Sequence, residues 1–254
     1  MNSVVYPRVD VLGVNVSAID MSDALAAFEQ WIADRSRTYV CVTGVHGVME
    51  SQRDSELTEI HNASGLTTPD GMPMVWCGRF AGARNMTRVY GPDLMLEVCR
   101  RGASEGWKMF FYGAAPGVPE ILADRLAARH PGLGVVGTFS PPYRDLTAEE
   151  QREIAVQIND AAPDVVWVGL STPKQERWMS QFRPLLDAPV LVGVGAAFDI
   201  HAGNLPQAPR WMQSSGLEWA YRLGREPRRL WRRYLSNNPR FVWSILRTPP
   251  RLLP

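Results

Sequence analysis

Cysteine is scarce in this 254-residue chain. Cys41, Cys77 and Cys99 stand far apart and form no C-x-x-C pair. That spacing excludes a zinc knuckle and a disulfide framework, and it suits a reducing cytoplasm. A globule of this length buries roughly 70–75% of its unfolded surface, so it needs neither device to hold together. Long apolar runs are also missing, since none approaches the ~20 residues that span a bilayer. The opening MNSVVYPRVDVLG has no basic region ahead of an apolar stretch, so no signal peptide is expected. H-E-x-x-H, Asp-x-Asp and any Ser-His-Asp arrangement are absent, which removes the familiar histidine and carboxylate metal sites and the triad hydrolases.

Net charge is close to zero at +1, but its distribution is uneven. From Leu217 to the end there are nine arginines against two acids, Glu218 and Glu226, which leaves +7 there and −6 on the first 216 residues. Such asymmetry points to an anionic partner at the basic end, whether membrane, nucleic acid or polyphosphate.

Short apolar, β-branched runs alternate with helical patterns. Strands are predicted at 39–43, 108–112, 134–138, 164–170 and 190–194, and helices at 22–33, 92–101, 116–128 and 148–159. Continuous apolar strands separated by helices of 10–15 residues mean a parallel sheet covered on both faces. The strand pattern stops near 203–209, and the remainder reads as helices only, one ending before Pro227 and another starting at it. The expected architecture is a Rossmann-like α/β core, residues 1–209, with a helical, Arg-rich appendage, residues 210–254.

In open α/β sheets ligands sit beyond the carboxyl ends of the strands, and the unusual stretches of this chain fall there: VTGVH (42–46), TTPDG (67–71), YGAAPG (112–117), GLSTPKQE (169–176) and GVGAAFD (193–199). Thr172-Pro173-Lys174-Gln175 fits a capping box, with Thr172 at N-cap, Pro173 at N1 and Gln175 at N3. The same helix start, strengthened by Lys174, would equally serve as an anion site. Pro69-Asp70-Gly71 is a turn sequence in its own right, or else Asp70 is a strand-end carboxylate ionised at neutral pH and free to act as general base. YGAAPG and Gly193-x-Gly195 lack the full dinucleotide fingerprint and read as tight strand–helix turns, with Pro116 suited to helix N1. His46 reads as a capping or packed histidine.

Taken together, these motifs resemble the WecG/TagA/CpsF bacterial glycosyltransferases. The resemblance runs from about Val40 to Arg233. It is carried by PDVVWVGLSTPKQERWM, by GVGAAFDIHAGNLPQAPRWMQSSGLEWAYRLGREPRRLWRR, by Asp70-Gly71 and by GPDLM at 91–95. It implies inverting transfer of a hexosamine, typically N-acetylmannosamine, from a UDP-sugar to a polyprenyl-diphosphate-linked sugar at the cytoplasmic membrane face. Asp70 then matches the family's general base. Gln175 and Asp199 fall at the nucleotide-sugar site, with Thr43, Gly113, Lys174 and Glu176 beside it, and Arg222, Arg225 and Arg229 match arginines that meet diphosphate. Implied partners are the donor, the lipid-linked acceptor and an anionic membrane surface met by the C-terminal tail. No nucleic acid, cofactor or metal is implied, and a homo-oligomer is compatible.

Three positions depart from the family pattern. Val45 stands where Asn is usual, Ser171 replaces the second glycine of Gly-x-Gly-x-Pro-Lys-Gln-Glu, and Pro69 precedes Asp70 in place of Ala. The first bears on which donor sugar is read, since Thr43 and its neighbour help to read it. An NAD(P)-dependent oxidoreductase on a Rossmann-like sheet is the alternative enzyme, weakened by the missing fingerprint. A non-catalytic binding protein would leave Asp70 and Pro-Lys-Gln-Glu without roles.

Overall fold

A computed structural model describes residues 6–253. The chain begins with β1 (Arg8–Val11), β2 (Val14–Ser17), α1 (Met21–Ala33), β3 (Thr38–Thr43), α2 (Val45–Ser51), α3 (Ser55–Ala63) and β4 (Leu66–Pro69). It continues through α4 (Met72–Phe80), α5 (Gly91–Glu105), β5 (Lys108–Gly113), α6 (Val118–Arg129), β6 (Gly134–Phe139), α7 (Ala148–Asp160) and β7 (Val165–Gly169). The last elements are α8 (Lys174–Phe182), β8 (Val190–Gly193), α9 (Ala197–His201), α10 (Arg210–Ser214), α11 (Glu218–Arg225), α12 (Pro227–Arg247) and β9 (Arg251–Leu253).

The main sheet is parallel, in the order β4-β3-β8-β7-β5-β6, and helices flank it. Every strand and helix expected from periodicity forms, with ends shifted by a few residues. Two compact units divide the described residues. Unit 1 takes its residues from Met1–Ala24, Val42–Tyr90 and Pro206–Pro254, and unit 2 from Leu25–Cys41 and Gly91–Leu205.

Unit 2 carries the strands that read as continuous apolar runs. All of β8, the first four residues of β7 and the last five of β5 are buried, as both-face coverage demands. Four rings form a continuous stack in its core. Phe139 lies 5.7 Å from Tyr112, Tyr112 lies 4.3 Å from Trp178, and Trp178 lies 4.3 Å from Phe182. Two of these rings sit on α8, so the stack fixes the helix that follows the Pro-Lys-Gln-Glu turn. Pro116 does not start α6. The helix begins two residues later, with Gly117 as N-cap and Pro119 in the first turn.

Unit 1 contains a second, antiparallel sheet, β2-β1-β9. Leu12 and Gly13 both hold positive φ (54° and 86°), the geometry of a two-residue hairpin turn between Val11 and Val14. Val9, Val11, Val14 and Val16 pack with Val48, Met74 and Met86 in a core that also takes in Phe241 of α12. The expectation of helices only beyond residue 209 is therefore corrected, because β9 pairs Arg8 with Leu253 and Val9 with Leu252. Pro227 opens α12 as expected, whereas Pro239 lies inside that helix.

In unit 2 the ends of β5 and β7 meet backbone to backbone. A Cβ added at Gly113 (φ +125°) would lie 2.7 Å from the carbonyl of Gly169. Overpacking of this kind costs about 1–3 kcal/mol, and a side chain at positive φ adds strain. Gly113→Ala should therefore lower unfolding stability by about 2 kcal/mol or more. An unchanged urea midpoint would show that the two backbones can part without loss.

Candidate active site

In unit 1 the chain leaves β4 at Pro69 and turns through Asp70 and Gly71 into α4. The Asp70 N–H donates to the Thr43 carbonyl at 3.0 Å. On its other side the Asp70 carbonyl oxygen would lie 2.6 Å from a Cβ at Gly44, with Oδ2 at 3.8 Å. The aspartate backbone is thus wedged between the end of β3 and the residue after it. The Thr43 hydroxyl is buried there, hydrogen-bonded to nothing among the described residues. An unmet buried polar atom costs about 1–3 kcal/mol, which contact with a ligand or water would offset.

The segment after α4 returns to the same place, because the Val89 N–H donates to the Pro69 carbonyl at 3.0 Å. Tyr90 is buried next to it. Burial first, then the Glu218 and Asp70 carboxylates and a hydrogen bond to Glu218, push its phenol upward, so the hydroxyl stays protonated and donates to that acid. Burial also raises the Tyr234 phenol, with Arg222 and Arg233 opposing. Arg222 of α11 completes the group. Burial tends to lower its pKa, but Tyr234, Tyr90, Glu218 and Asp70 outweigh that and the net shift is upward. No hydrogen bond or ion pair engages this guanidinium among the described residues. A permanently charged, half-buried guanidinium within electrostatic reach of two phenols suits phosphate oxygens.

Of the three arginines singled out in the sequence, only Arg222 comes under the influence of Asp70. Arg225 is exposed and lies 5.4 Å over the Tyr221 ring. Arg229 is exposed and bonded to Glu226 at 2.6 Å. Arg88, Tyr90 and Glu218 were given no role by the sequence, and Tyr234 was read there only as part of the tail helix's apolar stripe. The signal for one of them was present, since Glu218 and Arg222 stand four apart on a helix within the quoted LEWAYRL. His46 is a packed histidine, with Nδ1 3.3 Å from the Asn237 amide.

Unit 2 holds the Pro-Lys-Gln-Glu turn, and the capping box expected there does not form. Pro173 is the N-cap, without a side-chain bond, and α8 starts at Lys174. The Thr172 hydroxyl instead donates to Glu176 Oε1 at 2.8 Å, and Gln175 Nε2 donates to the same oxygen at 3.1 Å. Glu176 has no exposed surface and Gln175 only 3%, so the carboxylate acts from inside by ordering the turn. Glu176 Oε2 and Gln175 Oε1 are buried and hydrogen-bonded to nothing among the described residues. Lys174 is exposed at the helix start. Ser171 holds φ +60°, so the serine that replaces the family glycine keeps the left-handed backbone of a glycine. Asp199 lies in α9. Its carbonyl accepts from the Asn204 and Leu205 amides at 2.8 and 3.1 Å, and its Oδ1 accepts from the Asn204 side chain at 3.1 Å.

The profile of the glycosyl transferase WecG/TagA/CpsF family matches residues 9–252. The chain belongs to this family. It is 32% identical over 198 residues to an N-acetylglucosaminyldiphosphoundecaprenol N-acetyl-beta-D-mannosaminyltransferase of Bacillus spizizenii W23, covering 78% of this chain and 74% of the relative. It is 31% identical over 195 residues to the protein of that name from Bacillus subtilis 168, covering 77% and 73%. Family membership makes the chain a glycosyltransferase, and the oxidoreductase alternative finds no support. Among the described residues no three His, Cys, Asp or Glu side chains are grouped to hold a metal ion, and no helix is long and apolar enough to cross a membrane.

A methyl at Gly44 would collide with the Asp70 main chain rather than with a flexible side chain. A displacement of about 1 Å at a reacting group can cost ~10²-fold in rate. Gly44→Ala should therefore lower kcat by at least about tenfold. A variant with full kcat, and with its altered fold checked by melting, would show that Asp70 need not be held there.

Proposed function

We propose that the chain transfers an N-acetylmannosamine-like hexosamine, with inversion, from a UDP-sugar to a polyprenyl-diphosphate-linked sugar during synthesis of a cell-surface polysaccharide or teichoic acid. The names of the Bacillus relatives support this acceptor and this sugar. The observation that carries the reading is Asp70, anchored by its backbone at the end of β4 and close enough to influence Tyr90, Tyr234 and the unpaired Arg222.

Asp70 takes the proton of the acceptor hydroxyl as that oxygen attacks C1 of the donor. The bond from C1 to the diphosphate breaks, and UDP leaves with the bonding electrons. Arg222 meets the acceptor diphosphate, while Arg225 and Arg229 strengthen the positive field at the surface of α11 and α12. Thr43, with its unmet hydroxyl, reads the donor sugar. In unit 2 the start of α8 and Lys174 receive the negative nucleotide. Gln175 is held in place for it by Glu176, and Gly113 and Asp199 shape the neighbouring strand ends. The reaction needs no cofactor, since charge on the leaving group is met by guanidinium and backbone donors.

Residues 1–209 act as the donor-binding catalytic core in this scheme, and 210–254 as the acceptor- and membrane-binding part. The protein works as a peripheral protein on the inner membrane face, with no nucleic acid partner. On α12, Leu230 is fully buried and Tyr234 half-buried, while Trp231 and Leu235 point outward at 46% and 64% exposure. Further along α12, Trp243 and Leu246 are 57% and 71% exposed, with Arg247 4.4 Å over the Trp243 ring. Exposed aromatics among arginines suit the headgroup region, where each basic residue adds about 1 kcal/mol.

Asp70→Asn should reduce transfer by ~10²–10⁴-fold while UDP binding, measured by calorimetry, stays near that of the parent. Near-normal turnover at saturating donor would make Asp70 a turn residue only. Replacing Trp231, Leu235 and Trp243 together by Ser should leave the melting curve unchanged and abolish co-sedimentation with vesicles containing phosphatidylglycerol. Undiminished co-sedimentation would move the membrane contact elsewhere.

A further inference from the structure

Glu218 and Arg222 occupy positions i and i+4 on α11, acid first, the arrangement in which such side chains normally pair. They form no hydrogen bond or ion pair with each other here, although Glu218 still acts on Arg222 through space. Glu218 is bonded instead by Arg88 through Nη2, an ion pair whose side chains are only 13% and 16% exposed. Arg88 is fixed from two further directions. Its Nη1 donates to Gln213 Oε1 at 3.1 Å, and its guanidinium carbon stands 3.8 Å over the Tyr90 ring. The next residue, Val89, is tied to the end of β4 one residue before Asp70. Every group in this chain of contacts lies within unit 1.

A carboxylate left to itself one turn from Arg222 would neutralise it, and an anionic substrate would then have to displace that partner before binding. We propose that Arg88 is a positioning residue for acceptor recognition, sequestering Glu218 so that the Arg222 guanidinium stays open to the diphosphate of the lipid-linked acceptor. This rests on the reading of Arg222 given above. It differs from a direct role for Arg88 in binding the substrate, because what Arg88 does is carried out on Glu218. Tyr90 takes part twice, by stacking on Arg88 and by hydrogen-bonding Glu218 itself, so that the acid is held from two sides.

The test is a cycle of four variants, assayed with a short-chain polyprenyl-diphosphate-linked N-acetylglucosamine as acceptor and with the donor varied separately. Arg222→Gln checks the underlying reading and should raise acceptor KM about tenfold or more, as loss of a charge-assisted contact does. Arg88→Met takes the ion-pair partner from Glu218, leaving it only the hydrogen bond from Tyr90, and should raise acceptor KM about fivefold or more, with donor KM unchanged. Adding Glu218→Gln to Arg88→Met should bring acceptor KM back to within about twofold of the parent. Glu218→Gln alone keeps an acceptor for the Arg88 hydrogen bond and should not weaken the lipid substrate. Melting curves accompany each variant, and should Arg88→Met prove unfolded, the Glu218→Gln single variant decides alone. If the double variant stays as weak as Arg88→Met, or if Glu218→Gln alone raises acceptor KM like Arg222→Gln, sequestration is overturned while Arg222 keeps its role. An unchanged acceptor KM in Arg222→Gln would overturn the diphosphate reading itself.

Discussion

Asp70 is held by its main chain. Its amide is bonded to Thr43 and its carbonyl leaves no room for a methyl at Gly44, so the backbone at the base position can shift only if β3 and the turn after it shift as well. Fixing the backbone puts the mechanical demand on two strands of a parallel sheet, which is the stiffest part of such a fold.

The Pro-Lys-Gln-Glu turn follows the opposite plan. There the ordering element is a side chain, the fully buried carboxylate of Glu176, which gathers Thr172 and Gln175 to one oxygen. It answers the density of polar residues after β7. A bare strand–helix connection needs a cap, whereas this turn needs an internal acceptor that fixes its amide and hydroxyl in defined directions. Ser171, in a left-handed backbone conformation, shows that the shape of the turn is kept although the family glycine is gone.

The parallel sheet was legible because β3, β5, β7 and β8 are apolar runs of four to six residues, and helices of ordinary length separate most of them. The antiparallel sheet was not, since β1, β2 and β9 have only three or four residues and β9 reaches β1 across almost the whole length of the chain. Asp70, Gln175 and Arg222 were singled out through motif resemblance together with their places at a strand end or on a basic helix. Arg88 and Tyr90 were invisible for a different reason. Their importance lies in facing α11, more than 120 residues away, and no local pattern records such a meeting. Glu176 was noticed but cast as a ligand contact. Burial, which decides its part, cannot be read from a charged residue in a charged turn. The capping box failed similarly, because Thr172 had a stronger acceptor within reach than a backbone amide.

The pairing of β9 with β1 changes what the arginine-rich segment is. A helical tail that merely follows a domain can fray, be clipped or be lost, and the domain survives. Here the segment is closed at its far end by strand pairing, and Phe241 is sunk in the core beneath it, so it behaves as a handle riveted at both ends. A premature stop or a proteolytic cut near residue 250 would then be a folding lesion of the half of the molecule that carries Asp70, not the loss of an accessory. Force applied to α12 by a membrane would be transmitted into β1 rather than dissipated in a loose end.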